Sequence, residues 1–183
     1  MEVGHFYVDL SEIIRKMNKI IPFLLFFCCF LIKNGFSQTL DEWVGTYEGN
    51  MIAQNSSGTQ NEFKMRLDIQ KVNDSIYDWT ITYGENGQDI RPYQLTHKKE
   101  NSYEMDEKNS IVLKATKFGN ELISVFDVQG SLLWVSYTLI ENAIEVKITS
   151  SINRGVTGNE GDIPEVGTYG TVANQTGTLQ KLD

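Results

Sequence analysis

Residues 63–70 alternate between apolar and polar side chains without a break. This period of two is typical of a β-strand with one buried face. Residues 77–83 repeat the alternation, and Asn73 and Asp74 stand between the two runs as turn residues. The pair predicts a β-hairpin whose inward residues are Phe63, Met65, Leu67, Ile69, Tyr77, Trp79, Ile81 and Tyr83.

Short β-rich runs separated by Gly, Asn, Asp and Lys turns continue to the end of the chain. Beyond residue 38 no apolar periodicity predicts a helix of ten residues. We expect about ten strands, at residues 45–53, 63–70, 77–83, 91–97, 102–106, 110–117, 121–128, 132–140, 143–150 and 171–181.

Sequential strands with short turns predict an all-β, antiparallel up-and-down barrel of about 8–10 strands. Closing such a meander removes the exposed sheet edges that would otherwise promote aggregation. A two-sheet sandwich is the alternative architecture, but sandwiches usually contain long crossover connections. The one long connection expected here comes late, at residues 153–170, where five glycines predict a mobile loop or a lid over the barrel.

The segment at residues 17–37 has the organisation of a signal peptide. Asn18 and Lys19 form a short basic region, residues 20–32 are apolar, and Gly35 and Ser37 flank Phe36 as a signal peptidase requires. Thirteen apolar residues span only about 20 Å as a helix, less than a bilayer core. We therefore expect cleavage before Gln38 and a secreted or periplasmic protein.

Residues 1–16 are then an upstream extension, and residues 38–183 form a single barrel domain. An uncleaved amphipathic leader is the alternative for the N-terminus. Lipid attachment at Cys28 or Cys29 is disfavoured, because that cleavage needs a small residue before the cysteine and Phe27 precedes Cys28.

The 146 residues from Gln38 onward contain no cysteine, so core packing rather than a disulfide must hold the domain. The full chain has a formal net charge of −8, and residues 38–183 carry about −9. Such an acidic domain is not expected to bind nucleic acid or anionic membranes.

Leu40-Asp41-Glu42-Trp43-Val44-Gly45-Thr46-Tyr47 resembles the opening of calycin barrels such as lipocalins and fatty-acid-binding proteins. Those families begin with a helical turn and a G-x-W motif, and here Tyr47 stands in the Trp position. The resemblance implies a last strand near the C-terminus, with Lys181 as a cation over that aromatic. A segment between Tyr103 and Leu133 also resembles one in secreted bacterial proteins, a likeness that implies no function.

Few residues suited to catalysis or metal binding are found. His97 is the one histidine after residue 38, no G-x-S-x-G motif occurs, and no His- or Cys-rich metal site can be built. Glu104 and Asp106 share one face of a strand and are expected in solvent. We therefore predict that the protein is not an enzyme, with no catalytic residues, metal or cofactor.

The candidate ligand-binding residues follow from the same alternation. If Tyr93 points into the barrel, period two turns Arg91 and His97 inward as well. Arg91 is able to bind a carboxylate, as the resemblance to fatty-acid-binding proteins implies. The alternative is that both residues lie at strand ends and reach solvent. The predicted lining is Tyr77, Trp79, Tyr83, Arg91, Tyr93, His97 and Tyr103.

The predicted hairpin at residues 121–140 has apolar side chains on both faces. Leu122, Phe126, Val128, Leu133, Val135, Tyr137 and Leu139 form the inner face, and Ile123, Val125, Leu132 and Trp134 form the outer one. We call the outer four the Trp134 face. An apolar outer face marks a homodimer or protein contact, or is covered by residues 153–170.

Two functions are therefore expected. The first is an exported barrel that holds a small apolar or amphipathic ligand inside. The alternative is a non-enzymatic surface or periplasmic interaction module with a solid-packed barrel and the Trp134 face as its contact.

Overall fold

The computed structural model describes residues 39–158, 161 and 163–183, which belong to one compact unit. The predicted extension, signal peptide and cleavage site lie outside the described residues. The described chain begins with a 3₁₀ helix, Asp41–Trp43, followed by strands. They are β1 Gly45–Asn55, β2 Gln60–Lys71, β3 Ile76–Tyr83, β4 Asp89–Lys99, β5 Ser102–Asp106, β6 Val112–Phe118, β7 Glu121–Val128, β8 Ser131–Ile140, β9 Ala143–Thr157 and β10 Val166–Lys181.

The ten strands form a closed antiparallel barrel in which each strand pairs with its neighbours in sequence and β10 pairs with β1. The predicted meander barrel is confirmed, and the sandwich is excluded. The predicted inward faces of β2 and β3 are also confirmed. Met65, Leu67, Tyr77 and Trp79 are fully buried, whereas the polar residues between them are more exposed.

The predicted long loop at residues 153–170 is wrong. β9 continues to Thr157 and β10 starts at Val166, and these two residues pair directly. The ladder shifts register at Arg154, where the following Gly155 has a φ of 99°. A glycine with positive φ is typical of a β-bulge, so this glycine bends a hairpin rather than interrupting it.

One end of the barrel is filled by the N-terminal 3₁₀ helix; we call it the closed end. Leu40 and Trp43 are buried there, and the Trp43 ring lies 6.2 Å from that of Trp79. The Tyr77 hydroxyl donates to Asp41 Oδ1 at 2.7 Å and accepts the Leu40 amide at 3.2 Å. Because of this hydroxyl and the Lys71 ammonium, the pKa of Asp41 is below its ordinary value.

At the same end, Tyr47 and Lys181 meet as the resemblance implied. Lys181 Nζ lies 5.5 Å from the centre of the Tyr47 ring, in the range of a cation–π contact. The Tyr47 hydroxyl donates to the Trp43 carbonyl at 3.0 Å. These contacts fix the 3₁₀ helix against the first and last strands.

Candidate functional site

A cavity of about 240 Å³ occupies the half of the barrel opposite the closed end. It opens between the turns that join β3 to β4, β5 to β6 and β7 to β8; we call this opening the mouth. Its walls are mostly apolar and include Ile81, Met105, Leu113, Leu122, Phe126 and Val135. Six lining residues carry polar groups: Tyr83, Arg91, Tyr93, Glu107, Ser124 and Tyr137.

Tyr137 lies against Trp79, which separates the cavity from the closed end. The two rings meet edge to face, with centroids 5.0 Å apart and planes at 80°. Burial raises the pKa of Tyr137 far above its ordinary value. The buried Trp79 Nε1–H has no acceptor in hydrogen-bonding geometry among the described residues. This part of the site therefore offers the neutral Tyr137 hydroxyl in an apolar setting.

The mouth is dominated by Arg91 and its neighbours. Its guanidinium binds the Asp89 carboxylate, with Nη2 2.6 Å and Nε 3.1 Å from Oδ2. The Arg91 guanidinium carbon also lies 4.9 Å from the centre of the Tyr83 ring. Burial raises the pKa of both Tyr83 and Tyr93, so these phenols are uncharged at neutral pH.

Three of the seven predicted lining residues, Tyr83, Arg91 and Tyr93, come together at the mouth. Trp79 lies behind Tyr137 and does not itself line the cavity. The other three, Tyr77, His97 and Tyr103, are also absent from the lining, which corrects their predicted position.

These three residues point into the barrel at a level nearer the closed end than the cavity. Tyr77 holds the 3₁₀ helix through Asp41. His97 is 2.7 Å from the Glu100 carbonyl through Nε2, and its ring lies 4.9 Å from that of the buried Tyr103. Desolvation raises the pKa of Tyr103 to about 12.

Sequence reasoning missed Glu107, which directly follows β5 and lines the cavity. The signal was present, because Glu107 continues the inward parity of Tyr103 and Met105. The neighbouring acids Glu104 and Asp106 do lie on the outer face, as predicted. Glu104 there forms an ion pair with Lys98 at 2.7 Å and another with Lys114.

The Trp134 face has the predicted outward orientation. Trp134 pairs with Val125 across β7 and β8, and the two side chains are 48% and 44% exposed. Ile123 and Leu132 are half-buried beside them. Val128, predicted on the inner face, is 47% exposed because it lies at the mouth end of β7, next to the turn.

Within the described ranges, no group of three or more His, Cys, Asp or Glu side chains is arranged to hold a metal ion. None of the helices in that part of the chain is long and apolar enough to cross a membrane.

No protein-family model matches the chain, and no curated protein matches it. Solved structures do share its fold. A DUF3598-family protein of unknown function from Nostoc punctiforme has a TM-score of 0.58 and 12% identity, over 79% of this chain. The match covers 49% of the Nostoc protein, so this chain spans about half of its length.

Two further structures are matched over nearly their whole length. The S-type phycobiliprotein lyase CPES from Guillardia theta has a TM-score of 0.52 and 9% identity, over 83% of this chain and 93% of its own. Rv2717c from M. tuberculosis has a TM-score of 0.50 and 10% identity, over 81% and 98%. At these identities the likenesses show that the chain shares its fold, the closed ten-stranded barrel, with solved proteins.

The prediction that the protein is not an enzyme is contradicted by the likeness to the phycobiliprotein lyase. A protein named as a lyase has the same kind of barrel. The lack of a familiar catalytic motif in the sequence was therefore not a sound reason to exclude catalysis on this fold.

Proposed function

We propose that this protein is an exported barrel that binds a small apolar or amphipathic molecule in its cavity. The observation that carries the proposal is the cavity itself, which is open at the mouth, has apolar walls and holds a few convergent polar groups. This combination is typical of small-molecule sites. A barrel that served only as a scaffold would be filled by its own side chains along its whole length.

The size of the cavity limits the ligand. Its volume of about 240 Å³ is below the roughly 300–1,000 Å³ of sites for drug-sized molecules. We therefore expect a compact ligand whose apolar part lies against apolar walls such as Leu113, Leu122 and Phe126 and whose polar part stays at the mouth. The neutral phenols of Tyr83 and Tyr93 suit such an amphipathic molecule.

The likeness to a phycobiliprotein lyase supports this proposal through the fold alone. The proposal concerns binding, and a reaction of the bound molecule is compatible with the same cavity. Export is supported by the signal-peptide organisation of residues 17–37.

Native mass spectrometry of the protein purified from its own source tests the proposal. We expect a chain that begins at Gln38 and carries additional mass from a bound small molecule. An intact Met1 or Met17 start in an exported fraction would contradict cleavage.

A pair of adjacent variants tests whether the cavity holds that mass. Ala115 lines the cavity, whereas the side chain of Lys114 is on the outer face and 74% exposed. Ala115→Phe fills part of the cavity and should remove the bound molecule, and Lys114→Phe should retain it. Equal retention by both variants, each shown to be folded by circular dichroism, would contradict binding in the cavity.

The alternative function, an interaction module, is favoured by the exposure of Trp134 and Val125 on the outside of the barrel. This function and ligand binding use different residues, because the cavity and the Trp134 face lie on opposite sides of β7 and β8. Contact through this face stays a prediction, and its test is given in the Discussion.

A further inference from the structure

We propose that the cavity selects an organic cation, namely a compact apolar molecule with one protonated amine that pairs with Glu107. This inference rests on the proposed binding function and gives the chemical class of the ligand. It differs from the carboxylate ligand that the sequence resemblance implied for Arg91.

Arg91 is already neutralised. Three contacts of 2.6–3.1 Å join its guanidinium to the Asp89 carboxylate, and the Tyr83 ring lies against it. A ligand carboxylate would have to displace Asp89, which lies two residues away on the same strand and the same face. The geometry therefore gives Arg91 the role of a wall of the mouth rather than that of an anion receptor.

Glu107, unlike Arg91, has no side chain of opposite charge paired with it among the described residues. Its carboxylate accepts one hydrogen bond, from Asn109 Nδ2 at 3.3 Å, and no Lys, Arg or His of the described residues forms an ion pair with it. It is half-buried and lines the cavity. A half-buried carboxylate without a counter-charge, on the wall of a mostly apolar cavity, attracts a cation.

Aromatic side chains in the same cavity as Glu107 favour the same ligand. Its charge acts on the Tyr93 phenol, whose pKa it helps to raise. Tyr93 and Phe126 both line the cavity. Aromatic faces attract ammonium groups, so a carboxylate beside such rings is suited to a protonated amine with an apolar body.

The charge around the mouth acts in the same direction. The described residues of the three turns that form the mouth include two acids, Glu85 and Glu107, and one base, Lys108. Lys108 Nζ is held by Gln94 at 3.0 Å and lies 3.7 Å from Asp106. The full chain carries a formal charge of −8. Cations are therefore attracted to the mouth, and anions are repelled.

Three probes with one apolar body test the inference by isothermal titration calorimetry on the full chain at pH 7. They are 3-phenylpropylamine, 3-phenylpropanol and 3-phenylpropanoate. We expect the amine to bind about fivefold more tightly than the alcohol, as a partly exposed ion pair with an aromatic contact provides, and the carboxylate to bind most weakly.

Two charge-removing variants assign the preference to one residue. Glu107→Gln should weaken amine binding about fivefold, to the level of the alcohol, and leave alcohol binding unchanged. Glu85→Gln removes the same charge from the neighbouring mouth turn at a residue that does not line the cavity, and should change amine binding less than twofold.

The possible outcomes separate the two proposals. Tightest binding of the carboxylate, equal binding of amine and alcohol, or an amine preference that survives Glu107→Gln would overturn the cation inference and leave the binding function intact. No measurable binding of any of the three probes would overturn both.

Discussion

Trp79 determines where the solid part of the barrel ends and the cavity begins. It is fully buried, with Trp43 on the side of the closed end and Tyr137 on the side of the cavity. The alternation of residues 77–83 was sufficient to predict its burial. Its position along the barrel axis, however, depends on the pairing of Trp79 with Ile69 and Tyr93, which sequence alone did not give.

Trp79→Ala should destabilise the protein by about 3–5 kcal/mol, because it removes a large buried side chain and leaves a void between two other aromatics. Thr80→Ala, one residue away on the outer face, should cost less than about 1 kcal/mol. Urea denaturation followed by circular dichroism measures both free energies of unfolding. Similar small effects would contradict the role of Trp79 as the partition of the barrel.

At the scale of strands, the sequence predicted correctly which side chains point into the barrel, but it did not predict their level along the barrel axis. Alternation with period two is local, so the inward sides of β2, β3, β7 and β8 followed from it. The level of a residue along the barrel depends on register between strands that are distant in sequence. For this reason Tyr83 and Tyr93 line the cavity, whereas Tyr77 and Tyr103 have the same inward parity but lie towards the closed end.

The hairpin of β9 and β10 was missed for a related reason. Its five glycines predict a loop when composition alone is considered. The backbone hydrogen bonds that join β9 to β10 as far as Thr157 and Val166 need no large side chains. A bulge at Gly155 accommodates Arg154, which has no partner in the ladder.

The faces of β8 provide a test at this scale. Trp134→Glu should leave the thermal melting temperature within a few degrees of the wild type, because that side chain is half exposed on the outside. Val135→Glu should lower the melting temperature by far more, because Val135 is an apolar, half-buried residue that lines the cavity and an unpaired carboxylate there is costly. The reverse result would mean that the register of β8 is shifted by one residue.

The same variant tests the Trp134 face as a contact. Size-exclusion chromatography with light scattering should show a wild-type dimer that becomes a monomer in folded Trp134→Glu. A wild type that is monomeric at all concentrations would contradict self-association through this face.

At the scale of the whole molecule, the barrel is closed by β1 and β10, and two inward glycines make that pairing possible. A Cβ on Gly49 would lie 2.3 Å from the Thr178 carbonyl oxygen, and one on Gly177 would lie 2.5 Å from that of Asn50. Both contacts are with backbone atoms, which cannot rotate away. The two strands therefore approach more closely than side-chain-bearing residues would allow.

Gly177→Val should accordingly destabilise the protein by about 1–3 kcal/mol through overpacking of this closure. Thr176→Val, an adjacent substitution on the exposed outer face, should change the stability by less than about 0.5 kcal/mol. The midpoint of urea unfolding reports the difference. A tolerated valine at Gly177 would mean that β1 and β10 are able to separate without loss of the fold.

The β1–β10 pairing also means that the barrel cannot close until the last strand has been synthesised. β1 begins at Gly45 and its partner ends at Lys181, so the ring of strands is closed by pairing the first strand of the barrel with the last one. Until the last strand has been synthesised, β1 and β9 each present an open edge. Folds that depend on such distant contacts form slowly, in milliseconds to seconds, and their incomplete chains expose strand edges to other chains. Nascent or C-terminally shortened forms of this protein are thus the ones that most need protection by chaperones.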